Sequence, residues 1–144
     1  MNKYEFTDET KVLFGITLRR IRALRALPGV NIGDFGGFIE KETNLSQDGS
    51  AWVSGSAQVY GSARVYGEAR VYGEARVARS SDLMVIGPIG SRAAFLTVVA
   101  AQDIVTTGCF SGTRAEFLAA VEQTHGDNEH AKNYKRAIAF AYGE

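Results

Sequence analysis

Apolar residues return at every sixth position through the middle of the chain. Val53, Val59, Val65, Val71 and Val77 form one series, and Ala51, Ala57, Ala63, Ala69 and Ala75 form a second. Gly49, Gly55, Gly61, Gly67 and Gly73 form a third, while Leu83 and Ile89 extend the valine phase after the rest of the motif decays. A helix does not repeat every six residues, and a glycine in each period would weaken one by about 1 kcal/mol each time. The pattern predicts a short strand and a turn in every hexad. Side chains alternate along a strand, so Ala63 and Val65 face one way and Arg64 and Tyr66 the other. Ile32 and Phe38 carry the spacing upstream, with the register slipping by three near "TNLSQDG".

The flanks follow other periods. Residues 1–29 read as β: "YEFT" is one short strand, and "KVLFGITLRRIRAL" gives two strands about Phe14-Gly15, with Val12, Ile16, Leu18 and Ile21 as core candidates. Pro28-Gly29 ends that element. From residue 91 the hexads stop. "AAFLTVVA" and "IVTTGCF" predict a hairpin joined at residues 101–103. Thr113-Arg114-Ala115-Glu116 is a capping-box pattern ahead of Phe117, Leu118 and Val121 at helical spacing. Gly126 stands where a C-cap is expected, and Asp127 or Asn128 can cap a second helix with Tyr134, Ile138 and Ala141 on one face. The expected division is an N-terminal β cap (1–29), a hexapeptide-repeat region (30–90) and a hairpin with two helices (91–144).

The hexads "VYGSARVYGEARVYGEARV" resemble the hexapeptide-repeat family. That resemblance implies a mainly β protein: a short left-handed parallel β-helix in which three hexads make a coil of about 18 residues, with N-terminal β and C-terminal α+β caps. Residues 30–90 then make about three coils. Residues 18 apart stack, placing Arg70 above Trp52, with a cation–π pair expected, and Arg76 above Gln58. "TLRRIRAL", "GDFGGFIEKETNLS", "GCFSGT" and "THGDN" in that order resemble, over nearly the whole chain, a family of small hexapeptide-repeat proteins of bacteriophages and prophages. This implies a phage setting in an infected bacterial cytoplasm and assembly as a homotrimer. Tyr60, Tyr66, Tyr72, Arg64, Arg70 and Arg76 become the expected interface between copies. Scaffold alone is the competing reading of these residues.

Composition narrows the chemistry. In 144 residues, 16 basic and 16 acidic side chains leave no formal net charge, against a whole-surface nucleic-acid binder. Arg19, Arg20, Arg22 and Arg25 still form a local cluster, read as a solvated edge or a phosphate patch. Cys109 is the single cysteine, so no internal disulfide is expected; a reducing compartment follows, and its thiol reads as a core group. The charged start is no secretory signal, and no apolar run approaches the roughly 18 residues of a membrane span.

No catalytic constellation stands out, and no cofactor or metal site is expected. The histidines, His125 and His130, lie outside the hexads, and His125 with Asp127 is too small a ligand set for zinc. The turn Ser111-Gly112-Thr113 enters a helix, so its N–H groups are candidate anion donors, or an ordinary cap. With Arg92, His125, Asp127 and Asn128 it makes the candidate ligand site. The expected function is a non-enzymatic, oligomeric, phage-encoded binding protein that counters host defence by sequestering a small nucleotide signal or by blocking a host protein. The alternatives are a structural or assembly module without a small ligand, and a trimeric hexapeptide acyltransferase.

Overall fold

The computed structural model describes residues 2–108 and 110–144, so the expectation of a core thiol at Cys109 lies outside the described residues. The chain forms two compact units, Met1–Asp82 and Leu83–Glu144.

In the first unit, β1 (Tyr4–Leu13) and β2 (Ile16–Ala23) make an antiparallel hairpin, and β2 pairs antiparallel with β3 (Phe35–Ile39). "YEFT" and "KVL" are thus one long strand. The hexads supply strands of two residues each: β4 (Trp52–Val53), β5 (Gln58–Val59), β6 (Arg70–Val71) and β7 (Arg76–Val77). One sheet runs β1-β2-β3-β5-β7, and β4 pairs with β6 in a second. Pairing among the hexads is parallel and joins residues 18 apart, Trp52 with Arg70 and Gln58 with Arg76. The N–H groups of Trp52, Ser54, Gln58 and Tyr60 donate to the carbonyls of Ala69, Val71, Ala75 and Val77 at 2.8–3.1 Å. All five alanines from Ala51 to Ala75 and all five valines from Val53 to Val77 are buried.

The second unit is an antiparallel sheet ordered β11-β10-β9-β8 and packed with two helices. Its strands are β8 (Met84–Ile89), β9 (Ala94–Val99), β10 (Ile104–Thr107) and β11 (Phe110–Gly112); its helices are α1 (Arg114–His125) and α2 (Glu129–Ala141). Leu96, Val98 and Val105 from the sheet meet Phe117, Val121, Tyr134 and Ile138 from the helices in one core.

The fold class therefore differs from the expectation. The chain is a mixed α/β protein with several separate mixed and antiparallel sheets and two helices, not a mainly β, left-handed parallel β-helix. Parallel pairing is confined to the two-residue strands, their junction with β3 and one isolated bridge between Leu45 and Val65, because a turn follows each and leaves few ladder bonds. The longer strands pair antiparallel. Leu83 and Ile89 do not continue the repeat: Met84–Ile89 pairs antiparallel with β9. Upstream, Ile39 rather than Phe38 shares the valine phase, since Ile39 pairs with Val59 and Phe38 with Gln58. Leu18 and Ile21 are buried as expected, but Val12 and Ile32 are 68% and 70% exposed.

Two side chains join the repeat to the segment before it. Buried Asn44 donates through Nδ2 to the carbonyls of Ala63 at 2.9 Å and Gly61 at 3.2 Å, while its Oδ1 accepts from the N–H of Lys41. Gly61 is needed in this region, with φ of 62° and a Cβ position only 2.7 Å from the Ala78 carbonyl oxygen. Lys3 is buried with its ammonium donating to the Ala51 carbonyl at 2.6 Å and the Asp48 carbonyl at 3.2 Å. Beside it the Gln47 amide oxygen accepts the N–H of Lys3 at 2.7 Å, and the Tyr4 hydroxyl donates to the Leu45 carbonyl at 2.8 Å.

Asn44→Ala leaves two carbonyls without their side-chain donor, and each unmet buried group costs about 1–3 kcal/mol. A fall of that order in unfolding free energy in urea is expected; an unchanged midpoint would show that Asn44 does not secure the hexads. Burial, with Arg25 and Arg70 nearby, lowers the Lys3 pKa from its ordinary 10.5 to about 8. Between those values the unfolded chain binds more protons at this site than the folded one, so stability rises with pH. Burial raises the Tyr4 hydroxyl, with Glu42 adding to the effect, and this opposes the trend once unfolded tyrosine ionises near pH 10. The urea midpoint is expected to climb from pH 8 to about 9.5 in the parent and to lose that climb in Lys3→Met. Equal slopes in the two proteins would rule out Lys3 as the source.

Candidate functional site

A hollow in the first unit forms where the register slips. A 3-10 turn at Glu42–Asn44 leads to a parallel bridge between Leu45 and Val65, and the Ser46 N–H donates to the Val65 carbonyl at 2.9 Å. Above this bridge lies a hollow of about 690 Å³ lined by Glu42, Thr43, Ser46, Gln47, Arg64, Tyr66 and Ser80, with Leu45 and Val65 as its apolar floor. Tyr66 is 67% exposed. The hollow combines the Arg64 guanidinium, the Tyr66 ring and hydroxyl groups with the Glu42 carboxylate, which accepts from Gln47 Nε2 at 3.4 Å; the guanidinium can pair an anionic group and the ring can stack on a planar one.

Arg64 and Tyr66, read from sequence as interface residues, therefore meet at this hollow. The other four are dispersed. Tyr60 and Tyr72 are half-buried, Arg76 is exposed at its register position beside Gln58, and Arg70 donates to the Pro28 carbonyl at 2.8 Å. Trp52, opposite Arg70, is buried. The N-terminal arginines are largely committed within the chain. Arg20 lies 4.9 Å from the Phe38 ring and 3.5 Å from Glu9, Arg22 pairs with Glu5, and Arg25 donates to the carbonyls of Gln47 and Gly49. Arg19 is exposed.

In the second unit the expected anion turn is filled by the protein's own carboxylates. Thr113 caps α1 in a capping box: its side chain accepts from the Glu116 N–H at 3.1 Å, and its N–H donates to Glu116 Oε1 at 2.9 Å. The Arg114 N–H donates to Asp103 Oδ1 at 2.9 Å, and the Tyr142 hydroxyl donates to the same oxygen at 2.7 Å. These two donors hold the Asp103 carboxyl below its ordinary range. The Arg114 guanidinium makes a two-pronged pair with Glu144, both arms at 2.6 Å. Ser111 lies opposite Thr106 with 3.3 Å between their hydroxyls, and Gly112 lies opposite Val105 in the sheet.

Asn128 caps α2, its Oδ1 accepting from the Ala131 N–H at 3.0 Å, and Asp127 is exposed beside it. Arg92 is exposed in the β8–β9 turn. Its neighbours Gly90 and Ala93 line a hollow of about 490 Å³ together with Ile86, Pro88, His130 and Asn133. The His125 ring lies 5.4 Å from that of His130 and stacks at 5.9 Å on Tyr134. Neither Arg92 nor His125 is among the residues lining this hollow, and Ser111, Gly112, Thr113 and Asn128 serve strand and helix ends.

Sequence reasoning missed Glu42, Gln47, His130 and Asn133 as lining groups. The slip near "TNLSQDG" was a usable signal for the first pair, since residues that leave a repeat need not pack within it. No protein-family model matches the chain, and no curated protein matches it. No helix among the described residues is long and apolar enough to cross a membrane.

If Thr113 and Asn128 act as caps, Thr113→Ala and Asn128→Ala should each lower stability by about 1 kcal/mol. Thermal unfolding followed by circular dichroism tests this; parent-like melting of both variants would remove the capping role and reopen both residues to ligand contact.

Proposed function

We propose that the chain is a non-enzymatic binding protein that assembles with its own copies and holds a planar, negatively charged small molecule of nucleotide type. The observation that carries this reading is the hexad hollow, where the Arg64 guanidinium and the exposed Tyr66 ring stand beside hydroxyl and amide groups. A guanidinium gives charge-assisted hydrogen bonds to phosphate, and an aromatic face accepts a base. The resemblance to phage proteins extends the proposal to a phage-encoded homotrimer that counters host defence by sequestering a nucleotide signal. A second reading, obstruction of a host protein, draws on the hairpin tip between β1 and β2, where Val12 and Phe14 are exposed, Phe14 at 78%. An aromatic and an aliphatic side chain standing together at a loop tip suit a protein contact.

Native mass spectrometry of the protein recovered from infected cells separates the readings: retained nucleotide supports sequestration, a retained host protein supports obstruction, and neither counts against both. In calorimetric titration with the recovered nucleotide, Arg64→Ala and Tyr66→Ala are each expected to weaken binding by about tenfold or more, the first through loss of a charge-assisted hydrogen bond of about 1.5–3 kcal/mol and the second through loss of base stacking of about 1–3 kcal/mol. Arg92→Ala is expected to bind like the parent. Loss in Arg92→Ala alone would move the site to the second unit. Sedimentation giving a single-chain mass would reject the trimer.

A further inference from the structure

We propose that His125 and His130 form a binding site for one divalent transition-metal ion of the zinc and copper class. The two residues are held by a short, fixed turn. His125 ends α1, and Gly126 turns the chain with φ of 63° and its N–H on the Glu122 carbonyl at 2.8 Å. The Asn128 N–H donates back to the His125 carbonyl at 3.2 Å while its side chain starts α2, which places His130 in the first turn of that helix. Two imidazoles, one from each helix, are thereby brought together with 5.4 Å between ring centroids and a tilt of 53°.

That separation fits a shared ion. With metal–nitrogen bonds of about 2.0–2.1 Å and tetrahedral geometry, two imidazole centroids bound to one zinc lie about 5.2 Å apart. The observed 5.4 Å is close to that value, and coordination further requires a nitrogen of each ring to turn toward the ion. Tyr134, stacked on His125 and itself buried, limits where that ring can go. A Cβ on Gly90 would run into the Tyr134 hydroxyl, so that ring is confined in turn. Two imidazoles fall short of the three or four protein ligands of a structural or catalytic zinc site, and among the described residues no third His, Cys, Asp or Glu joins them, so the site proposed is a weaker, exchangeable one whose shell water completes. His130 also lines the hollow of about 490 Å³ beside Asn133, which gives that water, or an anionic group replacing it, room at the ion. Imidazole pairs suit copper and zinc over magnesium or calcium, which prefer oxygen.

The test uses the full-length protein with Zn²⁺ in calorimetry and Cu²⁺ in electron paramagnetic resonance. The parent is expected to bind one ion per chain, with a nitrogen hyperfine pattern from two imidazoles. His125→Ala and His130→Ala are each expected to weaken binding by at least about tenfold, since even the loss of an outer-shell partner costs a metal site 10–100-fold. Asp127→Asn is expected to leave affinity unchanged. Circular dichroism of the metal-free variants verifies that both helices persist, and His130→Asn provides a second variant should the alanine form unfold. No binding by the parent, parent-like affinity in either folded histidine variant, or a single-nitrogen copper spectrum would overturn the proposal.

Discussion

The first unit depends on a backbone constraint: each hexad is too short to satisfy its own peptide groups. A two-residue strand has no partner within its own turn, so its N–H groups reach the carbonyls of the segment three hexads further on, as Trp52 does to Ala69 and Gln58 to Ala75. Buried peptide groups left unpaired would be costly. The small alanines and branched valines follow from this requirement, because they allow successive segments to lie at hydrogen-bonding distance while filling the space between them. The outward positions are then released from packing duty, and there Arg64 and Tyr66 border a hollow.

Polar groups control the places where the period breaks. Asn44 answers carbonyls in the next segment, and Lys3 brings a cation under cover to answer two more. In the second unit, Glu116 and Asp103 occupy N–H groups at the start of α1. Local carboxylates thus take the place an external anion would have used, whereas at the other end of α1 His130, beside His125, borders a hollow.

Local rules made much of this legible. Thr113 was visible as a cap, and Asn128 as one of two candidates with Asp127, because a cap involves only the next three residues, and the burial of Val53 to Val77 follows from alternation. The fold class was not legible, because a repeat identifies what recurs and says little about the non-repeating strands, which here are longer and antiparallel. Phe38 and Ile39 exchange roles because Gly36 and Gly37 offer no side chain to mark the phase. Ile89 falls on the six-residue spacing yet belongs to a hairpin. Both hollows join residues far apart in sequence, and the burial of Lys3 depends on carbonyls nearly fifty positions away. No short pattern encodes such distances.

The near identity of the hexads has a further consequence for uniqueness. If the pairing from Val59 to Val77 moved by one hexad, nearly every alanine would still meet an alanine and every valine a valine. The repeat is therefore almost blind to its own alignment, and strands of low complexity are prone to such slippage. The information that breaks this degeneracy resides in residues that occur once: Asn44 against Ala63, Lys3 against Ala51, and Trp52 against Arg70. The regular part of the unit supplies cohesion, and its irregular residues select a single arrangement from several that would cohere almost equally well.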